Sequence, residues 1–271
     1  MLSEASRRLL QTSDTPRLDA ELLMAYALGV TRSQMLLQAL RGPAPSNFGA
    51  LIDRRLNNEP VAHIIGRQEF YGLELEVTRD TLIPRGDSET LIEAAREAFA
   101  DRAPPRRILD LGTGTGALLF AALDLWKTSE GIGLDASEGA VAVARRNGAR
   151  LGTAERVQVR VGDWTKPAWA APLGTFDLIL CNPPYVETGA ILDRDVAEFE
   201  PHSALFAGVQ GLDDYRILAP QIRALLAPNG IAIFEIGHTQ ADAVSALFSA
   251  QGFIVTLRRD LAGRPRALVL T

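Results

Sequence analysis

At 271 residues, with 47% hydrophobic and 23% charged residues, the chain has the composition of a soluble globular protein holding one main domain and room for a smaller companion. No apolar stretch approaches the ~20 residues that span a bilayer, and Met1 to Arg8 lacks the apolar core of a secretory signal, so a cytoplasmic location without membrane attachment is expected. The single Cys181 excludes a disulfide framework and a cysteine zinc site, and a net charge of −5 without a long basic run argues against a stable nucleic-acid partner.

Residues 1–66 show helical periodicity only and are expected to form a small helical bundle for substrate recognition. One amphipathic stretch runs from Leu18 to Leu28 and stops at Gly29. Thr31 suits the cap of a second helix, Arg32 to Leu40, before the breaking segment Gly42-Pro43-Ala44-Pro45, and a third helix is predicted over Phe48 to Leu56. Phe70 to Val77 alternates with period two, which predicts a β-hairpin within a linker of residues 67–82.

Residues 83–271 alternate strand and helix. A helix is predicted over Ser88 to Ala100 with Asp87 as its cap. Strands are predicted at Arg107–Leu111, Gly131–Leu134, Val157–Val161, Phe176–Cys181, Ile231–Glu235, Phe253–Leu257 and Arg266–Leu270. Helices at Thr115–Trp126, Glu138–Leu151, Asp213–Leu226 and Thr239–Ala250 separate most of them. This pattern predicts an α/β fold, a doubly wound seven-stranded Rossmann-like sheet, with the last two strands antiparallel.

Two junctions in that sheet carry chemistry. The first strand runs into Gly112-Thr113-Gly114-Thr115-Gly116, whose glycines allow the backbone to approach a ligand closely. Asp135 ends the next strand, where a carboxylate suits a ribose diol. A nicotinamide cofactor and S-adenosylmethionine both present that diol, so this junction does not choose between them. The second junction is Asn182-Pro183-Pro184-Tyr185, directly after the apolar run that ends at Cys181. Two prolines forbid helix and ladder pairing, so the chain stiffens as it leaves the sheet with Asn182 at the mouth. A carboxamide offers an acceptor oxygen and donor hydrogens that can grip another planar amide or an aromatic amine. Strand four is expected beside strand one at the switch point, which sets Asn182 across a crevice from the glycines. An amide, two prolines and a phenol suit the positioning of an NH2 group against an electrophilic methyl better than hydride transfer.

These motifs together resemble the PrmC/HemK family of peptide chain release factor glutamine methyltransferases. The resemblance rests on Arg67-Gln-Glu-Phe70, Thr81-Leu-Ile-Pro-Arg85 with Asp87-Ser-Glu89, Leu109 to Gly116, Asn182 to Tyr185, Phe199-Glu-Pro201 and Asp260-Leu-Ala-Gly263, and runs from about residue 15 to the C-terminus. Asn-Pro-Pro-Tyr alone is shared with adenine-N6 DNA methyltransferases, which leaves an adenine-N6 nucleic-acid methyltransferase as the alternative. Gly86, where the family commonly has proline, and His238, where an aromatic is frequent, are departures that remove no functional group.

The resemblance implies S-adenosyl-L-methionine as cofactor, with S-adenosyl-L-homocysteine as product, and action on class 1 release factors at the glutamine of a Gly-Gly-Gln motif; a monomer is expected. It implies that Gly112, Thr113, Gly114, Thr115, Gly116, Asp135, Asp163, Trp164 and Asn182 line the cofactor pocket. Asn182 and the Pro183 carbonyl would receive the glutamine amide, and Pro184 and Tyr185 would pack around it. Arg85 is expected either to pair with the cofactor carboxylate or to tie down its loop.

Other conspicuous residues have simpler readings. Cys181 is expected as a packed thiol, and His63, His202 and His238 have no metal spacing. The acidic run Asp193, Asp195, Glu198 and Glu200 is expected mostly as solvated surface, and Arg145, Arg146 and Arg150 as an exposed helix face.

Overall fold

A computed structural model describes residues 1–38 and 43–271. They form two compact units, one of Met1–Arg67 with Leu192–Glu200 and the other of Gln68–Ile191 with Pro201–Thr271.

The first unit is helical. Helices α1 (Leu2–Leu9), α2 (Pro16–Leu28), α3 (Arg32–Gln38), α4 (Phe48–Leu56) and α5 (Val61–Ile65) close over a core that fully buries Leu9, Leu23, Met35 and Ile52. Helix α4 has the predicted bounds; α1 and the single-turn α5 were not predicted, being too short to develop a periodic signal. Residues 39 and 40 of the predicted second helix, and Gly42 of the break, lie outside the described residues. The start of α3 is a capping box. Thr31 Oγ1 accepts from Gln34 N at 3.2 Å, and Gln34 Oε1 accepts from Thr31 N at 2.9 Å.

Charge is buried in this unit, and paired. Asp19 accepts from Arg55 at 2.7 Å with both side chains buried, and Glu21 is held by Arg17 and Arg32, which keep its carboxyl below the usual range. Helix α9 (Arg194–Phe199) belongs to the same unit, and its Asp195 stands 3.7 Å from Arg55. This corrects part of the reading of the acidic run as solvated surface: Asp193 and Glu198 are exposed as expected, but Glu200 is buried and Asp195 faces a buried guanidinium.

The second unit carries a two-stranded hairpin, β1 (Arg67–Phe70) and β2 (Leu73–Glu76), turning at Tyr71-Gly72. After it come α6 (Glu89–Ala98), β3 (Arg107–Leu111), α7 (Ala117–Leu125), β4 (Glu130–Asp135), α8 (Glu138–Arg150), β5 (Val157–Val161) and β6 (Phe176–Cys181). Beyond α9 the chain adds α10 (Asp213–Leu225), β7 (Leu226–Glu235), α11 (Ala241–Ser249), β8 (Val255–Arg259) and β9 (Pro265–Leu270). The seven-stranded sheet has the order β5-β4-β3-β6-β7-β9-β8. Its first five strands are parallel, and β9 runs antiparallel to both β7 and β8.

Side-chain alternation explains the two helical layers. Ile108, Leu178, Leu180, Ile231 and Ile233 pack with α6 and α7, while Leu109, Leu111, Ile179, Ala232 and Phe234 pack with α10 and α11. A sheet apolar on both faces must be covered on both, and its strands then read as near-continuous apolar runs. Two smaller expectations are corrected, and that of an exposed arginine face on α8 holds. Asp87 does not cap α6; its carboxylate accepts from Arg266 at 2.8 Å, and Ser88 stands at the cap without a capping bond. Strand β8 starts at Val255 because Phe253 is taken into the core beside Phe248. The arginines of α8 are exposed but engaged, Arg145 with the Val159 carbonyl, Arg146 with Glu76 and Arg150 with Glu74.

Candidate active site

Parallel pairing of β3 with β6 brings the two junctions together, with Leu111 opposite Cys181. The next residue on one side is Gly112, and on the other Asn182. The Asn182 carbonyl lies 3.7 Å from the position a Gly112 side chain would take. A cavity of ≈ 270 Å³ opens at these carboxyl ends of the strands, lined on one side by Gly112 to Thr115 and on the other by Asn182 and Pro184.

Backbone hydrogen bonds hold the glycine turn. Gly112 N and Thr113 N both donate to the Leu134 carbonyl, at 2.9 and 2.8 Å, and Gly116 N donates to the Thr113 carbonyl at 2.7 Å. Asn147 of α8, fully buried, donates to the Thr115 carbonyl and exchanges two bonds with the Glu76 backbone. Asp135 grips the turn from the next strand: its Oδ2 accepts from Gly114 N and its Oδ1 from Ser137 N, both at 2.9 Å. Burial still raises its pKa, against the pull of those two N–H groups.

Asp163 and Trp164 stand on the cavity wall after β5. Thr165 donates twice to Asp163, which lowers that carboxyl's pKa. The Trp164 indole N–H donates to Asp214 at 2.7 Å, and its ring edge comes within 3.3 Å of the side-chain position that Gly112 leaves open. Arg85 lines the same cavity and is exposed. Gly116, Pro183 and Tyr185 lie outside the wall. Gly116 caps α7, Pro183 is buried, and the Tyr185 hydroxyl donates to Glu235 at 3.1 Å. Cys181 is fully buried and its thiol is pushed well up by desolvation, as a packed thiol should be.

The sequence reading missed Asp110. It is a wall residue with 1% exposure, and Thr113 Oγ1 donates to its Oδ2 at 2.6 Å. Its Oδ1 is buried and has no hydrogen-bond partner among the described residues. Burial pushes its pKa up to about 7, with Asp135 adding to the rise. The available signal was a carboxylate placed inside an otherwise apolar strand. Asp80, Asp110, Asp135, Asp163 and Asp214 thus present five carboxyl groups to one cavity. Such a site suits a ligand with cationic groups, hydroxyls and an exocyclic amine. S-adenosylmethionine has all three, so the residues fit it.

Comparison with known proteins places this architecture. Residues 1–66 match the PrmC N-terminal domain and residues 104–251 a methyltransferase domain. A release factor glutamine methyltransferase from Rhodospirillum rubrum is 42% identical, over 94% of this chain and 79% of its own length. The chain belongs to the release factor glutamine methyltransferase family. A second member, from Caulobacter vibrioides, is 38% identical over 94% of this chain and 89% of its own. Among solved structures, a methyltransferase from Pyrococcus furiosus superposes with a TM-score of 0.51 at 19% identity, over 83% of this chain and 98% of that one, and shares the fold. As a release factor glutamine methyltransferase family member, the chain has its glycine turn and its Asn-Pro-Pro-Tyr corner on one cavity. Among the described residues no helix is long and apolar enough to cross a membrane.

Proposed function

We propose that this chain methylates the side-chain amide nitrogen of the glutamine in the Gly-Gly-Gln motif of class 1 release factors. The products are N5-methylglutamine and S-adenosylhomocysteine. The observation that carries this reading is the position of Asn182, on the wall of a carboxylate-lined cavity and beside Gly112, in a chain of this family.

When bound, S-adenosylmethionine supplies a methyl group made electrophilic by a sulfonium. The residues that would hold it are Gly112 to Thr115, Asp135, Asp163 and Trp164, with Asp110 as the acceptor for a cationic group. An amide nitrogen is a weak nucleophile because its lone pair is delocalised into the carbonyl. Orientation and stabilisation of charge growing on nitrogen therefore matter more than a strong base. The Asn182 side-chain oxygen accepts an amide hydrogen, which aims the lone pair into the cavity and offsets that charge, while the buried Pro183 stiffens the corner that carries it. The methylated nitrogen is then acidic enough to lose its proton without a dedicated base. Tyr185 is not that base: burial and Glu235 raise its pKa, so its hydroxyl stays protonated. Its part is to fix the corner.

The helical unit fits recognition of the intact release factor, and the enzyme acts as a cytoplasmic monomer without a stable nucleic-acid partner. The test is incubation of the purified chain and labelled S-adenosylmethionine with a release factor and, in parallel, with DNA, followed by mass mapping of the modified residue or base. Label on the Gly-Gly-Gln glutamine is expected. Label on DNA adenine with none on the factor would replace this reading with the adenine-N6 one. Asn182→Ala should abolish transfer while leaving cofactor affinity nearly unchanged, and near-normal turnover in that variant would remove the positioning role.

A further inference from the structure

The geometry points to Gln240 as a positioning residue for the reaction: its carboxamide fixes the exit of the Asn-Pro-Pro-Tyr corner and thereby the aim of Asn182. This inference rests on the reading of Asn182 given above. Gln240 stands just before α11, is 9% exposed, and is outside the cavity wall. Its Oε1 accepts from Gly237 N at 3.0 Å, and its Nε2 donates to the carbonyls of Tyr185 and Gly211, both at 3.1 Å, with the Gln210 carbonyl at 3.5 Å. One side chain thus joins three segments: the exit of the corner, the turn before α10, and the turn after β7.

The fit is specific to this side chain. A carboxamide has two donor hydrogens and an acceptor oxygen, and here both kinds of group are used. A glutamate would set a carboxylate oxygen against two carbonyls, and an apolar isostere would leave both without that donor. The backbone is shaped around the contact. Gly211 sits at φ +65°, and a side-chain carbon there would lie 2.2 Å from the Tyr185 carbonyl oxygen and 2.7 Å from Gln240 Nε2.

The stiffness of the corner makes this matter. Two successive prolines leave little freedom between Asn182 and Tyr185, so fixing both ends fixes the middle. The pairing of β6 with β3 and β7 holds the entry at Cys181. Gln240 holds the exit through the Tyr185 carbonyl, a backbone group, independently of the Tyr185 side chain. A small shift of a group that orients reactants lowers the rate of the chemical step more than it lowers ligand affinity.

The test uses the full chain with an intact release factor and compares Gln240→Met, Gly211→Ala and Asn182→Ala for kcat, KM, S-adenosylmethionine affinity by calorimetry, and thermal midpoint. Gln240→Met removes the donor at similar volume; Gly211→Ala pushes the same carbonyl from the other side. For both, kcat should fall about 10- to 100-fold, while KM for the release factor and affinity for the cofactor stay within about twofold. An unchanged kcat, a loss in KM or cofactor affinity as large as that in kcat, or failure of both variants to fold would each overturn the assignment. If Asn182→Ala loses transfer while Gln240→Met does not, only the role of Gln240 fails. Retained turnover in Asn182→Ala would remove the reading of the corner itself.

Discussion

The hydroxyl of Tyr185 donates to the buried carboxylate of Glu235 at 3.1 Å. Glu235 ends β7 with 2% exposure, Ser88 also bonds its side chain, and Arg266 lies 3.9 Å away. Desolvation raises its pKa and outweighs these partners. The phenol of the corner is therefore a structural donor to a buried acid, and Tyr185 is not among the residues that line the cavity.

Tyr185→Phe should consequently act first on stability. It removes a bond to a buried carboxyl group whose other oxygen, Oε2, has no hydrogen-bond partner among the described residues. Loss of such a bond costs about 1.5–3 kcal/mol if the acid is ionised and nearer 1 kcal/mol if it is protonated. Urea unfolding should show a lowered midpoint at unchanged slope. Methyl transfer should fall far less than in Asn182→Ala. An unaltered midpoint, or a complete loss of turnover in well-folded protein, would contradict this.

Two glycines of the turn, two residues apart, should fail in different ways. A side-chain carbon on Gly116 would lie 2.1 Å from the ring of Phe120, which is 1% exposed, at φ +85°. At Gly114, φ is +52° and nothing lies within 4 Å, because the residue faces the cavity. Gly116→Ala should thus cost several kcal/mol of stability, the sum of left-handed strain of about 1 kcal/mol and an overpacked core at about 1–3 kcal/mol. Gly114→Ala should bear only the strain and chiefly weaken cofactor binding. Thermal melts and calorimetry on both variants check the contrast, and equal destabilisation would refute it.

The centre of the sheet was legible because its strands are buried on both faces, a pattern that Arg107–Leu111 and Phe176–Cys181 carry in their own residues. Strand ends and caps were less so. Asp87 resembles a helix cap in sequence, yet Arg266, 179 residues on, takes its carboxylate. The approach of Asn182 to Gly112 followed from switch-point topology alone. The direction of the Tyr185 side chain did not, because its partner is 50 residues away. Asn147 and Gln240 are invisible to any periodicity: each is one amide whose bonds are to backbone groups of distant segments.

Asp135 combines two tasks, and its variants should separate them. Its two oxygens hold Gly114 N and Ser137 N while its carboxylate faces the cavity. Asp135→Ala removes both tethers and the acceptor for hydroxyl groups. A charged hydrogen bond contributes about 1.5–3 kcal/mol, so cofactor affinity should fall roughly 10- to 150-fold. Asp135→Asn keeps one oxygen and should fall less. Calorimetry showing wild-type affinity in Asp135→Ala would take this residue out of the binding site.

Asp110 gives a pH signature of known sign. Burial lifts its pKa in the folded chain to about 7, from an ordinary value of 3.8. Between these values the folded chain keeps a proton that the unfolded chain has released. The group's contribution to stability therefore declines as pH rises through that window and levels off above about 7. Asp110→Asn abolishes this titration and retains an acceptor for the Thr113 hydroxyl. The variant should gain stability relative to wild type between pH 5 and pH 8. Because Asp135, Asp214 and Glu235 are also raised, only the difference between the two proteins isolates Asp110. Binding should move the opposite way. A cationic ligand group prefers the ionised acid, so wild-type affinity for S-adenosylmethionine should rise as pH passes through 7, and the variant's should be lower and flatter. Parallel urea titrations and calorimetry at three pH values decide it. A constant stability difference from pH 5 to 8 would show that Asp110 is already ionised, whatever its burial.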